Sequence, residues 1–210
     1  LYASDLVDAG QWKHVQPGEE DENFSAAETQ LLHHFRNLND NGQSVAVERV
    51  QEALVLAMEK ALSMGLKNVY FLSIDAAKLE EYFAPGEVDL IYLNFCDPWP
   101  RSNQKKRRLT HGNFLRQYRR VLRPAGQIHF KTDNQPLFEF SVEEIPQFGF
   151  ELSEVTRNLH ENGPVGVMTD YEAKFHELGQ PINRCVGTMV DWEEPEAPEE
   201  TKPAEEASAE

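Results

Sequence analysis

From residue 44 to residue 190 the chain repeats one pattern: a short apolar run, then a stretch with apolar residues at helical spacing. This alternation limits the fold more than any other feature. Strands apolar on both faces must be covered on both, and intervening helices do so. The strand runs are Ser44–Val47, Val69–Leu72, Val88–Asn94, Gln127–Phe130, Phe150–Val155 and Ile182–Val190. Periodicity predicts helices from about Val50 to Met64, capped by Gly65, over Phe114–Leu122 and over Leu137–Ile145, with a turn at Leu79–Phe83. Another is expected over Ser25–Asn39, where Leu31, Leu32, Phe35 and Leu38 recur before Asn41-Gly42. The fold class is α/β, a mostly parallel sheet flanked by helices. Its ligands are expected beyond the C-terminal ends of the strands.

Residues 1–190 read as one domain that opens with an irregular segment, 1–22. Residues 191–210 hold nine acids and one lysine, a net of −8, which is half of the chain's −16. With one aromatic and almost no β-branched residues, that tail is expected to be disordered. The mean charge argues against a polyanionic partner, but the distribution argues for one. Between Pro98 and Thr132 stand ten of the 20 Lys and Arg residues and no acid. Two cysteines, Cys96 and Cys185, fit a reduced cytoplasmic setting and lack metal-ligand spacing. No apolar run reaches the roughly 18–20 residues of a membrane span, and no signal-peptide pattern is present.

Three strands run into an acid: Glu48, Asp75 and Asp97. Each fits a helix N-cap or a ligand contact; at consecutive strand ends they favour ribose and adenine contacts, for Glu48 and Asp75 respectively. Asp97 sits in Asp97-Pro98-Trp99-Pro100, where two prolines stiffen the backbone, and the cationic run Arg101 to Arg108 follows at once. A charge run is often only a solvated face. Here Lys105, Lys106, Arg107 and Arg108 are candidates to grip phosphates beside a reaction centre. Trp99 and Tyr171 fit either core packing or stacking on a base. His33 and His34 are adjacent on a helix and cannot share a site, so no metal is expected. His111 and His129 read as packing or RNA-side groups, and Met58 and Met64 as core.

Several motifs together resemble the bacterial tRNA (guanine-N7)-methyltransferase family from about Val45 to Gly187. They are DPWP, KKRRLTHGNFL, RVLRPAG at Arg120–Gly126, Lys131-Thr-Asp-Asn134 and the late Thr169-Asp-Tyr-Glu-Ala-Lys-Phe175. The resemblance implies a Rossmann-like methyltransferase fold with an antiparallel last strand. It also implies transfer of a methyl group from S-adenosylmethionine to N7 of a guanine in the tRNA variable loop. By position it assigns Glu48, Asp75, Asp97 and Asn23 to the cofactor, with Asp97 the catalytic centre. Arg101, Asp133, Thr169, Asp170, Tyr171 and Glu172 fall to the substrate. The implied partner is tRNA, and the protein is expected to be a monomer or homodimer.

The chain departs from the family pattern before its first assigned strand. Counted back from Glu48, Ser25, Ala27 and Thr29 stand where the family has three loop glycines, and Asn23 stands for an acid. A methyl group there narrows the backbone's approach to a cofactor. The competing expectations are therefore a tRNA-binding homologue of weak catalytic power and a methyltransferase for a small molecule.

Overall fold

In a computed structural model the described residues are 43–165 and 170–195. The segment 1–22, Asn23, the helix expected over 25–39, the altered loop and Thr169 lie outside them. The order is β1 (Ser44–Glu48), α1 (Gln51–Ser63), β2 (Val69–Ser73), β3 (Val88–Asn94), α2 (Gly112–Val121), β4 (Leu122–Thr132), α3 (Gln135–Gln147), β5 (Phe150–Thr156), α4 (Asp170–Glu177) and β6 (Asn183–Met189). Two 3₁₀ segments, Ala76–Glu81 and Ser102–Arg107, follow β2 and β3.

β1 and β2 form a parallel pair, and a second sheet has the order β3-β4-β6-β5. β3 is parallel to β4, while β6 is antiparallel to both its neighbours. Within this sheet β3, β4 and β5 run one way and the last strand against them, as expected. The expectation that the middle strands are buried on both faces does not hold: along β4 buried Ile128, Phe130 and Thr132 alternate with half-buried Gln127, His129 and Lys131, and β3 is covered less still. No ladder joins the two sheets among the described residues, so β3 is an edge strand and only its Leu93 is buried.

The larger core lies between the four-stranded sheet and α2 and α3. It is built from Leu115, Tyr118, Ile128, Phe130, Leu137, Phe138 and Ile145, all essentially excluded from solvent. A smaller core presses α1 onto β1 and β2 through Ala57, Met58, Ala61, Ala46 and Phe71. The alanines let the helix approach the strands closely. Met64, expected in the core, is instead the half-buried C-cap of α1. Beyond it Gly65 has φ +67° and donates to the Leu62 carbonyl at 2.9 Å, a left-handed stop that glycine adopts without steric cost. Val47 and Ala76 pack against the larger core, which anchors the ends of β1 and β2 to it.

Three elements differ from the sequence reading. β4 starts at Leu122, not Gln127, because the chain passes straight from α2 into the strand. Pro124-Ala125-Gly126 is a bulge inside it, with Ala125 at φ +59° and the partner register jumping from Val88–Leu122 to Leu90–Gln127. α4 had no strong apolar period to reveal it. Residues 191–195, expected to belong to a disordered tail, are docked: Trp192 packs on Phe148 at 6.0 Å and Glu194 pairs with Arg116. The Trp192 ring, with Arg119 over it, and the Glu194 ion pair hold this segment; 196–210 lie outside the described residues.

Candidate active site

The ends of β1 and β2 each present a carboxylate that is half used. Glu48 Oε1 accepts the N–H groups of Arg49 and Val50, both at 2.8 Å, at the approach to α1. Asp75 Oδ1 accepts Ala77 N–H at 2.9 Å and caps the 3₁₀ segment. Asp75 takes the capping role that the sequence allowed, whereas Glu48 orders the turn before α1, whose N-cap is Val50. In each case the second oxygen is left for a hydroxyl or amine donor.

At the end of β3 the backbone is strained on both sides of Asp97. Phe95 has φ +51° and Trp99 φ +41°, left-handed conformations that cost on the order of 1–3 kcal/mol each in a non-glycine residue. Phe95 is held there by its N–H, which donates to the Lys131 carbonyl at 2.8 Å. The turn around Trp99 is held by Arg108: its Nε donates to the Pro98 carbonyl at 3.0 Å and its Nη2 to the Trp99 carbonyl at 3.2 Å. The same guanidinium lies 4.5 Å above the Phe140 ring. Arg108 is 6% exposed, so its expected role as a phosphate contact is corrected. A buried, fully directed guanidinium shapes the Asp97 turn and does not reach a phosphate. Asp97 itself is exposed at the apex.

The remaining cations divide sharply. Arg116 pairs with Glu194, Arg120 grips both oxygens of Glu80 at 2.8 and 2.6 Å, Arg123 pairs with Asp89, and Lys131 pairs with Glu172 at 2.8 Å. Arg119 donates to the carbonyls of Gly149 and Val190. These five, with Arg108, stitch α2 and β4 to their surroundings. Arg101, Lys105, Lys106 and Arg107 stay exposed on the segment after Asp97, with Arg107 4.0 Å above the Trp99 indole. That cation covers one face of the ring, so any base stacking on Trp99 uses the other.

At the end of β4, Asp133 is exposed and Asn134 caps α3 through Leu137 N–H at 2.9 Å. Beside Lys131 in the ladder stands Asn94, whose buried Oδ1 has no hydrogen-bond partner. Glu172 is fully buried against Lys131, with His160 from the loop after β5 3.5 Å away. Asp170 and Tyr171 open α4. His160 was not legible from the sequence: its loop has no periodicity, and only tertiary folding brings it to Glu172. His111 proves to be the N-cap of α2, and His129 sits between Tyr92 and Gln127 on β4; burial pushes both imidazoles below the usual histidine range. Cys96 and Cys185 are free thiols, each pushed up to about 12, chiefly by burial. Among the described residues no three His, Cys, Asp or Glu side chains gather as a metal site, and no helix is long and apolar enough to cross a membrane.

Residues 27–185 match a family profile described as "Putative methyltransferase". The chain is 47% identical over 141 residues to the tRNA (guanine-N(7)-)-methyltransferase of Macrococcus caseolyticus, covering 67% of each protein. To the protein of that name from Bacillus subtilis strain 168 it is 41% identical over 164 residues, covering 78% of this chain and 76% of the relative. The chain thus spans about two thirds to three quarters of these relatives' length. A solved SAM dependent methyltransferase from Aquifex aeolicus superposes with a TM-score of 0.54 at 16% identity, covering 80% of this chain and 79% of that one. At that identity it shows the fold alone. The chain belongs to the tRNA (guanine-N(7)-)-methyltransferase family and has the fold of S-adenosylmethionine-dependent methyltransferases.

Proposed function

We propose that this chain methylates N7 of a guanine in the variable loop of tRNA. The observation that carries the reading is an exposed Asp97, set on a turn strained on both sides and followed directly by four exposed cations. Family membership supplies the reaction class.

The residues present fit S-adenosylmethionine. Glu48 and Asp75 each keep one carboxylate oxygen for a ribose hydroxyl or an adenine amine, and Asn94 Oδ1 is a buried acceptor in want of a donor at the end of β3. When bound, the cofactor supplies an electrophilic methyl group. Guanine N7 carries a lone pair and no proton, so the chain needs no general base and its task is positioning. Asp97, Asp133 and Glu172 accept from the N1–H and N2 amine of guanine and stabilise the positive charge that the base gains. Arg101, Lys105, Lys106 and Arg107 hold the RNA backbone. Asp170 and Tyr171 are assigned to the substrate with Glu172, in a reducing cytoplasm where both thiols persist.

Unmodified bulk tRNA incubated with the protein and labelled cofactor should gain methyl groups that map to N7 of guanine. Transfer to another base, or to small molecules only, would sink the reading. Asp97→Ala should abolish transfer, a drop of at least a hundredfold, while tRNA binding in gel shift is retained; normal methylation by this variant would place the centre elsewhere.

A further inference from the structure

Where α4 meets the loop after β5, a carboxylate and an imidazole lie buried beside a half-buried amine, with a second, exposed imidazole at their edge. Glu172 is fully buried, with Oε1 2.8 Å from Lys131 Nζ and 3.5 Å from His160 Nε2. His160 is 5% exposed, and the His176 ring meets its ring edge-on at 5.5 Å. His160 Nδ1 accepts the Val165 N–H at 3.2 Å. A nitrogen that accepts carries no proton, so the neutral ring bears its proton on Nε2, the atom turned toward Glu172. That Nε2 is buried and makes no hydrogen bond at its present distance. It is a donor held just short of an acceptor.

We infer that His160 is a positioning residue that sets the angle of the Glu172 carboxylate. The inference rests on the proposed contact between Glu172 and guanine. A buried carboxylate needs both a compensating charge and directed donors. Lys131 supplies the charge but, as a point charge on a flexible stem, fixes little orientation. The planar imidazole supplies direction, because the Val165 backbone clamps it at the opposite nitrogen. Glu172 and His176 from α4 and Lys131 from β4 are the titratable groups that face it. The remaining gap between Nε2 and Oε1 closes when substrate draws the carboxylate into line, as hydrogen bonds in empty catalytic sites commonly tighten on loading. Holding that angle once the base is seated favours transfer over mere docking.

Two variants each keep half of the imidazole. His160→Gln places an amide nitrogen near the Nε2 position and retains a donor toward Glu172. His160→Asn keeps a polar group near Nδ1 for the Val165 backbone and loses the reach to Glu172. We expect His160→Asn to lower kcat/KM for tRNA tenfold or more and His160→Gln to stay within about threefold. Cofactor affinity by calorimetry and Tm should be unchanged in both. The double variant His160→Asn/Glu172→Gln should be no worse than Glu172→Gln alone, the non-additivity of groups acting as a unit. Full activity in His160→Asn, equal losses in both variants, or losses that track Tm would overturn the inference. Unimpaired transfer by Glu172→Gln would instead overturn the reading of Glu172 as a substrate contact, so the two failures are distinguishable.

Discussion

At the scale of single residues, neighbouring cations in one sequence run do opposite work. Lys105, Lys106 and Arg107 are exposed, whereas Arg108 turns inward to two carbonyls and the Phe140 face. Removing the inward guanidinium leaves two half-buried acceptors, at about 1 kcal/mol or more each, and forfeits the cation–π contact. Arg108→Ala should therefore unfold at lower urea, by about 2–4 kcal/mol. Lys105→Ala/Lys106→Ala should unfold like the parent but bind tRNA with a flatter salt dependence, by about one to two units of log–log slope. Equal stability losses in the two proteins would refute the division. No composition argument distinguishes residue 107 from residue 108; the 3₁₀ segment that ends between them does.

At the scale of elements, the contact between α2 and the end of α3 is set by the missing side chain of Gly112. A Cβ there would lie 2.2 Å from Phe148 Cζ, and the glycine N–H donates to Glu144 Oε1 at 3.0 Å. Alanine would gain up to about 1 kcal/mol of helix propensity, and overpacking costs about 1–3 kcal/mol. The clash wins because the ring is itself pinned by Trp192 and Arg116. Gly112→Ala should lower Tm by several degrees; a Tm equal to or above the parent's would show that Phe148 can move. The helix was legible as far as its period over Phe114–Leu122. Its true start, with His111 as cap, was hidden because histidine is an unusual N-cap.

At the scale of the whole molecule, three histidines, His111, His129 and His160, are held below the usual histidine range, in each case chiefly by burial. The unfolded chain takes up protons at about pH 6.5 that the folded chain still refuses, so the unfolded state binds more protons in the window just below. Stability therefore falls as pH falls below about 6.5. Thermal melts at pH 7.5 and 5.5 should give a lower Tm at 5.5, and His160→Gln should reduce the difference; a flat profile would refute the assignment. The same scale resolves the charge: six of the ten cations in the basic stretch are used within the fold, which concentrates the outward-facing charge on the segment after Asp97.

The sequence by itself determined the α/β class, the strands and the acids at their ends, because periodicity, caps and strand boundaries are local. Its motifs also carried the family. It could not determine which polar groups end inside. Arg108, Glu172 and the docked Trp192 carry the chemistry of surface, site and tail residues, and their burial depends on partners 9 to 44 positions away in the chain, such as Trp99, Lys131 and Phe148. Burial of that kind is a property of packing between elements, and only the tertiary structure decides it.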